Sequence, residues 1–179
     1  MKKTQTAKLC VSAIMAALYV GLDYLAQALS ALLGGSMKLS LSGLTVMATA
    51  CAFGPLWAAA TGFVGAFLGQ MITYGITATT LLWVLPAVVR GISFALLFIA
   101  FGRSTKPYVL IISTVLSGLL VTAANTLAMY VDSRIYHYPT VLFGVSLLNR
   151  VLASVITAVI FAILLPVVVK LINRAIKVR

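Results

Sequence analysis

The most informative property of this sequence is how few acidic residues it contains. Among 179 residues there is no glutamate, and two aspartates stand against 13 lysines and arginines. The absence of glutamate excludes the intramembrane proteases and proton-driven exporters that depend on a membrane-embedded glutamate. Charged residues make up only 8% of the chain, whereas soluble domains carry about 25%. The chain is therefore not an ordinary soluble enzyme.

Other residue types that carry chemistry are equally scarce. Two cysteines, Cys10 and Cys51, and one histidine, His137, do not make a metal site. Ser42 and Ser117 precede glycines but lack the first glycine of a rhomboid-type G-x-S-G motif. No phosphate-binding G-x-x-x-x-G-K-[ST] loop is present, so the chain does not hydrolyse ATP itself. We expect no catalytic residue, no metal and no cofactor.

Long apolar runs dominate what is present. Hydrophobic residues make up 63% of the chain, and the mean hydropathy is +1.16. A membrane-spanning helix needs about 20 mostly apolar residues. Six segments meet or approach this length: 8–30, 39–53, 55–73, 80–101, 108–131 and 141–165. The sequence predicts an all-α membrane protein with six transmembrane helices in one domain, residues 1–179.

The distribution of lysine and arginine predicts the orientation in the membrane. With both termini cytoplasmic, nine cations lie inside: Lys2, Lys3, Lys8, Arg103, Lys106, Lys170, Arg174, Lys177 and Arg179. Lys38 and Arg134 then lie outside, which fits the positive-inside rule. The cations stand between apolar runs and not on a solvated face, which argues against nucleic acid as a partner.

Polar residues within the apolar segments predict a binding pocket. Placed by depth, they fall in the outer half of the bundle, as expected for a pocket that is open outside and closed below. The candidate substrate-binding residues are Lys38, Gln70, Trp83, Arg90, Asn125, Tyr136, Asn149 and Arg150. Three alternatives remain: Asn125 and Gln70 each bond a neighbouring backbone, and Lys38 only extends to lipid headgroups.

The charges expected at this depth favour an anionic ligand. Arg90 and Arg150 are both expected inside the membrane, with only Asp23 to neutralise them. An unpaired buried guanidinium is costly, and a ligand carboxylate satisfies it with two hydrogen bonds. Alternatively, Asp23 forms a structural pair with one arginine. In a self-sufficient secondary transporter, Asp23 is instead the coupling carboxylate.

Aromatic residues cluster in the same outer region. They are Tyr74, Trp83, Tyr130, Tyr136 and Tyr138. Each one is explained by the aromatic belt at a membrane surface. Together, beside a pocket, they also suit a ligand with a flat ring system.

Small residues form a stripe on the first helix. Ala13, Ala17 and Gly21 follow one another at intervals of four, so they share one face that another helix can approach closely. The stripe lies near the cytoplasmic side, and it is a candidate contact for a second membrane protein.

At this point the chain resembles the S components of energy-coupling factor (ECF) vitamin transporters. The resemblance is carried by the length, the six helices, the basic N-terminus and Ala13-x-x-x-Ala17. Segment 37–42 and the Ala52-Phe53-Gly54-Pro55 stretch before a Gly/Ala-rich helix add to it. The resemblance implies a vitamin-binding subunit in the plasma membrane of a prokaryote. It also implies partners, namely a transmembrane coupling protein and two ABC ATPase subunits, with Ala13 and Ala17 contacting the coupling protein.

Within that family, two features are similar to folate-type members: Asn125-Thr126-Leu127 and the turn at 53–55. The loop around Arg134–Pro139 departs from that group. Folate is flat and anionic, which agrees with the arginines and the aromatics. The alternative substrate is pantothenate, which is anionic without a ring, or another vitamin.

Overall fold

A computed structural model of the chain consists of six helices. It describes residues 3–32, 40–137 and 143–177, without the side chains of 3–4, 143–150, 173 and 175–177. In chain order the helices are α1 (Lys3–Leu32), α2 (Gly43–Phe53), α3 (Pro55–Tyr74), α4 (Thr80–Ala100), α5 (Pro107–Tyr136) and α6 (Phe143–Lys177). Every regular element in these ranges is a helix, which confirms the predicted all-α class.

Glycine and proline set the short connections between helices. Gly54 has φ of 90°, a conformation that glycine adopts without steric cost. Its N–H donates to the carbonyl of Ala50, which closes α2, and Pro55 opens α3 at the first helical position. The break predicted at 53–55 is therefore observed, and α2 and α3 are separate helices.

The described residues form six helices, as predicted, but α2 is shorter than a membrane span. Among the described residues, five helices are long and apolar enough to span a bilayer. Helix α2 has 11 residues, or about 16 Å at 1.5 Å per residue. It begins at Gly43 and not at residue 39, because Gly43 and Leu44 make turn hydrogen bonds to the carbonyls of Ser40 and Leu41.

Helix α5 also differs from the prediction, which ended it at residue 131 and placed residues 132–140 in a loop. The helix continues to Tyr136. Asp132 and Arg134 lower the local hydropathy, but they do not break a helix. The first residue that does is Pro139. The additional turn brings Asp132 and Tyr136 onto the helix.

Helix α2 occupies the interior of the bundle. Val46, Met47 and Ala48 on three successive positions are all fully buried, as is typical of a helix that is apolar on every side. Phe94 of α4 and Phe161 of α6 pack in the same core. The longer helices instead expose leucine, isoleucine and valine along much of their length, as expected for surfaces in contact with lipid.

The two ends of the bundle differ, because consecutive helices alternate in direction. One end, here called the terminal end, contains the start of α1, the turn at 53–55, the connection at 101–106 and the end of α6. The other, here called the cavity end, contains the end of α1, the start of α2, the connection at 75–79 and the end of α5.

Helices α3 and α4 make direct backbone contact through two glycines. A Cβ added at Gly62 would lie 2.7 Å from the carbonyl oxygen of Ala87. One at Gly91 would lie 2.8 Å from the carbonyl carbon and oxygen of Ala58. Small residues allow this approach, which supplies packing energy where lipid offers no hydrophobic driving force.

We predict that Gly62→Ala and Gly91→Ala each lower the unfolding temperature of the protein in detergent. The new methyl group must separate two backbones, and overpacking of this kind costs about 1–3 kcal/mol. Gly69→Ala on the same α3 is the control, because a Cβ there has no heavy atom within 4 Å. It should keep or raise stability, since alanine favours a helix by about 1 kcal/mol over glycine. Equal unfolding temperatures for all three variants would contradict the close backbone contact between α3 and α4.

Candidate ligand-binding cavity

A cavity of about 800 Å³ lies at the cavity end of the bundle. Its volume is within the range of small-molecule sites, about 300–1,000 Å³. Residues of all six helices, of the turn before α2 and of the α3–α4 connection line the described part of its wall. The wall combines aromatic rings, amides, hydroxyls and charged groups.

One face of α1 supplies three polar side chains, Tyr19, Asp23 and Gln27, at intervals of four residues. Residues at this spacing lie above one another on a helix. The Gln27 amide donates a 2.9 Å hydrogen bond to Asp23 Oδ2. The Tyr19 side chain packs on Gly65 of α3 so closely that a Cβ there would lie 2.7 Å from Tyr19 Cβ and Cγ. The glycine thus fixes the position of the Tyr19 ring.

Arg90 enters the cavity from α4, one turn after Pro86, which also lines the wall. Its side chain passes beside the first residue of α2, where a Cβ on Gly43 would lie 2.5 Å from Nη1. The Tyr19 hydroxyl is near enough to interact with its charge. The guanidinium therefore lies between α4, the start of α2 and α1, at the inner part of the cavity.

Both acidic residues of the chain line this cavity. Asp23 comes from α1 and Asp132 from the last turns of α5, and no other acidic residue exists in the sequence. The described wall thus holds two carboxylates and one guanidinium. The predicted surplus of positive charge depends on Arg150, whose side chain lies outside the described residues, and Asp132 is a carboxylate that the prediction had placed in a loop.

Aromatic side chains line the wall on several sides. Trp83, Tyr74 and Tyr136 all contribute, as the clustering of aromatics predicts, and Tyr19 is an addition. Tyr130 does not line the cavity. Its hydroxyl accepts a 3.0 Å hydrogen bond from Arg134, whose guanidinium carbon lies 5.2 Å from the ring centroid.

Hydroxyl groups form a large share of the wall, and sequence reasoning missed them. On α5 and α6, Thr122, Ser154 and Thr157 donate to main-chain carbonyls of their own helices at 2.6–2.9 Å. Because the proton is used there, each oxygen has lone pairs left to accept from a ligand. A signal for α5 existed: Thr114, Gly118, Thr122 and Asn125 are spaced at three or four residues, and all line the cavity.

The structure brings together five of the predicted binding residues. Gln70, Trp83, Arg90, Asn125 and Tyr136 all line the cavity. The prediction for Lys38 lies outside the described residues.

The same holds for the side chains of Asn149 and Arg150, although both positions are within α6. The proposed contact residues Ala13 and Ala17 do not line the cavity. They lie on the exposed side of α1 with Gly21, around which no heavy atom comes within 4 Å of an added Cβ.

Comparison with known proteins identifies one family. The model of the family described as the S component of the ECF-type riboflavin transporter matches residues 3–174. No curated protein and no solved structure gave a significant match. The match agrees with the resemblance to S components. The matching family is that of riboflavin transporters, so the expected similarity to folate-type members is not confirmed.

Proposed function

Because this chain belongs to the family of S components of ECF-type riboflavin transporters, we propose that it binds riboflavin in the large cavity. The observation that carries the proposal is the cavity of about 800 Å³ in which amides, hydroxyls and aromatic rings converge. As family members are transport subunits and not enzymes, the cavity is a site of capture and release.

The chemistry of the wall suits a flavin. Riboflavin has a flat, uncharged ring system with hydrogen-bonding groups on one edge, and it carries a chain of hydroxyls. Trp83 and Tyr74 offer faces for stacking, and Gln70 and Asn125 offer both donors and acceptors. The hydroxyl oxygens of α5 and α6 accept from the sugar-like chain.

The charges of the described wall support an uncharged ligand over an acidic one. Asp23 and Asp132 line the described wall with a single cation, Arg90, so this part of the wall carries no excess of positive charge for a ligand carboxylate. Folate and pantothenate both carry carboxylates, so this part of the wall favours riboflavin.

A titration of the purified protein tests the proposal. Riboflavin fluorescence should be quenched on binding, with saturation at one vitamin per chain, since stacking on an aromatic ring quenches a flavin. Folate and pantothenate serve as competitors and should not displace it. Displacement by folate or pantothenate, or an absence of saturable riboflavin binding, would refute the assignment.

We further propose that the cavity end faces outward and that the protein acts with an energy-coupling module. Five described cations lie at the terminal end or on the last turns of α6, whereas Arg134 alone lies at the cavity end and Arg90 in the cavity wall. The five are Lys8, Arg103, Lys106, Lys170 and Arg174, and their excess supports a cytoplasmic position for the terminal end. The sequence contains no ATP-binding loop, which is consistent with an energy supply from partner subunits. The exposed Ala13–Ala17 stripe is the proposed contact with the membrane-embedded partner.

The role of Asp23 separates this function from proton-coupled transport. We predict that Asp23→Asn retains riboflavin uptake within about fivefold, because the asparagine oxygen still accepts the hydrogen bond from Gln27. Weakening this hydrogen bond costs about 1 kcal/mol, which corresponds to about a fivefold change in affinity. Uptake assays with and without a protonophore provide the measurement. Binding that survives while uptake disappears would identify Asp23 as a coupling carboxylate instead.

A further inference from the structure

A second, smaller cavity lies at the terminal end of the bundle. It has a volume of about 210 Å³ and is lined by Lys8, residues 50–54, Phe98, Ile99 and Arg103. We refer to it as the terminal notch. It is too small for a vitamin, because sites for whole ligands measure about 300–1,000 Å³. A single phosphate group fits this space.

The two cations of the terminal notch have no acidic side chain with which to pair. The only carboxylate side chains in the chain are Asp23 and Asp132, and both line the other cavity. Along α1, Asp23 is 15 residues from Lys8, or about 22 Å. Neither of these carboxylate side chains therefore neutralises Lys8 and Arg103, so an external anion can bind both cations.

The backbone at Arg103 is held in an unusual conformation. Its φ is +55°, and the preceding Gly102 has φ of +68°. The N–H of Arg103 donates a 2.8 Å hydrogen bond to the carbonyl of Phe98 and so ends α4 in a tight turn. A left-handed conformation is costly for a residue with a side chain. This turn nonetheless carries an arginine, and Arg103 lines the notch.

The position of the notch favours a lipid as the source of the anion. Lys8 lies three residues into the candidate span that begins at Gln5, and Arg103 lies three residues after the span that ends at Ala100. Both are thus at the depth of lipid headgroups. Apolar side chains, Phe98 and Ile99, form the adjoining wall, and Ile99 is exposed to the bundle surface.

We propose that the terminal notch binds the phosphate of an anionic phospholipid. Lys8 and Arg103 contact the phosphate from two sides, and one acyl chain follows the apolar surface beside Ile99. Basic pockets between membrane helices bind anionic headgroups in this way. The site is independent of the vitamin cavity, and it does not require the proposed substrate to be correct.

Native mass spectrometry of the purified protein tests the proposal. The protein is titrated with phosphatidylglycerol and with phosphatidylcholine of the same acyl chains. Wild type should bind phosphatidylglycerol more tightly. Arg103→Gly and Lys8→Ala should each weaken that binding about fivefold, since each cation near an anionic surface contributes about that factor.

Two variants keep the test independent of folding. Arg103→Gly places glycine at a positive φ, a conformation that glycine adopts readily, so its unfolding temperature should not fall. Lys106→Ala removes a cation from the same connection. The Lys106 Nζ lies 6.0 Å from the centroid of the Tyr108 ring, and Lys106 does not line the notch. This variant should bind phosphatidylglycerol as wild type does. Equal binding by wild type and Arg103→Gly would overturn the proposal.

Cysteine labelling locates the lipid. Cys51 lines the notch and Cys10 does not, so a Cys10→Ser background leaves one reporter thiol. Phosphatidylglycerol should slow alkylation of Cys51, whereas phosphatidylcholine should not. Protection by inorganic phosphate alone at the same concentration would overturn the lipid assignment and identify a site for free phosphate. Loss of the coupling module from Arg103→Gly without a change in lipid binding would identify a protein contact instead.

Discussion

A double variant, Ala13→Trp with Ala17→Trp, is expected to lose riboflavin uptake while it continues to bind riboflavin. Both alanines are on the exposed side of α1 and neither lines the cavity, so an indole at each position leaves the binding site intact. At a packed helix contact, however, each added side chain costs about 1–3 kcal/mol. Two at one contact should weaken association with the coupling partner about a hundredfold.

The matched control for this variant is Ile163→Trp. Ile163 is 69% exposed on α6, a different helix from the one that carries the stripe, so its indole should face lipid and leave uptake unchanged. Uptake is measured in vesicles that also contain the coupling module, and binding by flavin fluorescence on purified protein. Normal uptake by the double variant would show that this stripe is not the docking surface.

The second large effect is expected from Trp83→Ala. Trp83 is half-buried in α4 and lines the cavity one turn before Ala87. Loss of an aromatic platform beneath a flat heterocycle costs about 1–3 kcal/mol in comparable sites. The affinity for riboflavin should therefore fall about tenfold to a hundredfold. Trp83→Phe keeps a ring for stacking and should recover most of the affinity.

The two tryptophans of the chain provide an internal comparison. Trp57 is in the first turn of α3, at the terminal end, and does not line the cavity. Trp57→Ala should bind riboflavin as wild type does. If the two alanine variants lose affinity equally, the flavin does not stack on Trp83, and the proposed position of the ring in the cavity is wrong.

Hydropathy and helix-breaking residues were sufficient to predict most of the fold. Apolar length identified each helix, and the Gly54-Pro55 pair separated α2 from α3. The errors came from using charge as a boundary. Asp132 and Arg134 lower hydropathy without ending a helix, so α5 continues to Tyr136. The length of α2 depends on the turn at Ser40–Ser42, which apolar content does not encode.

The site was predicted where polar residues interrupt apolar sequence. Gln70, Arg90 and Asn125 are conspicuous for this reason, and all line the cavity. Threonines such as Thr157 were missed because a threonine hydroxyl in a helix commonly bonds a carbonyl of the same helix. A threonine within an apolar segment therefore does not by itself indicate a binding site. The contact of Arg90 with Gly43 arises from the crossing of α4 and α2, which a single sequence does not reveal.

The burial of α2 has a consequence for the membrane in which the protein resides. One end of α2, at Gly43, borders the large cavity, and the other, at residues 50–53, borders the terminal notch. About 16 Å of helix with fully buried Val46, Met47 and Ala48 therefore separates the two spaces. Such a packed apolar layer offers no chain of water molecules to protons or ions. The subunit alone should leave the electrical resistance of its membrane unchanged, even with its cavity open on one side.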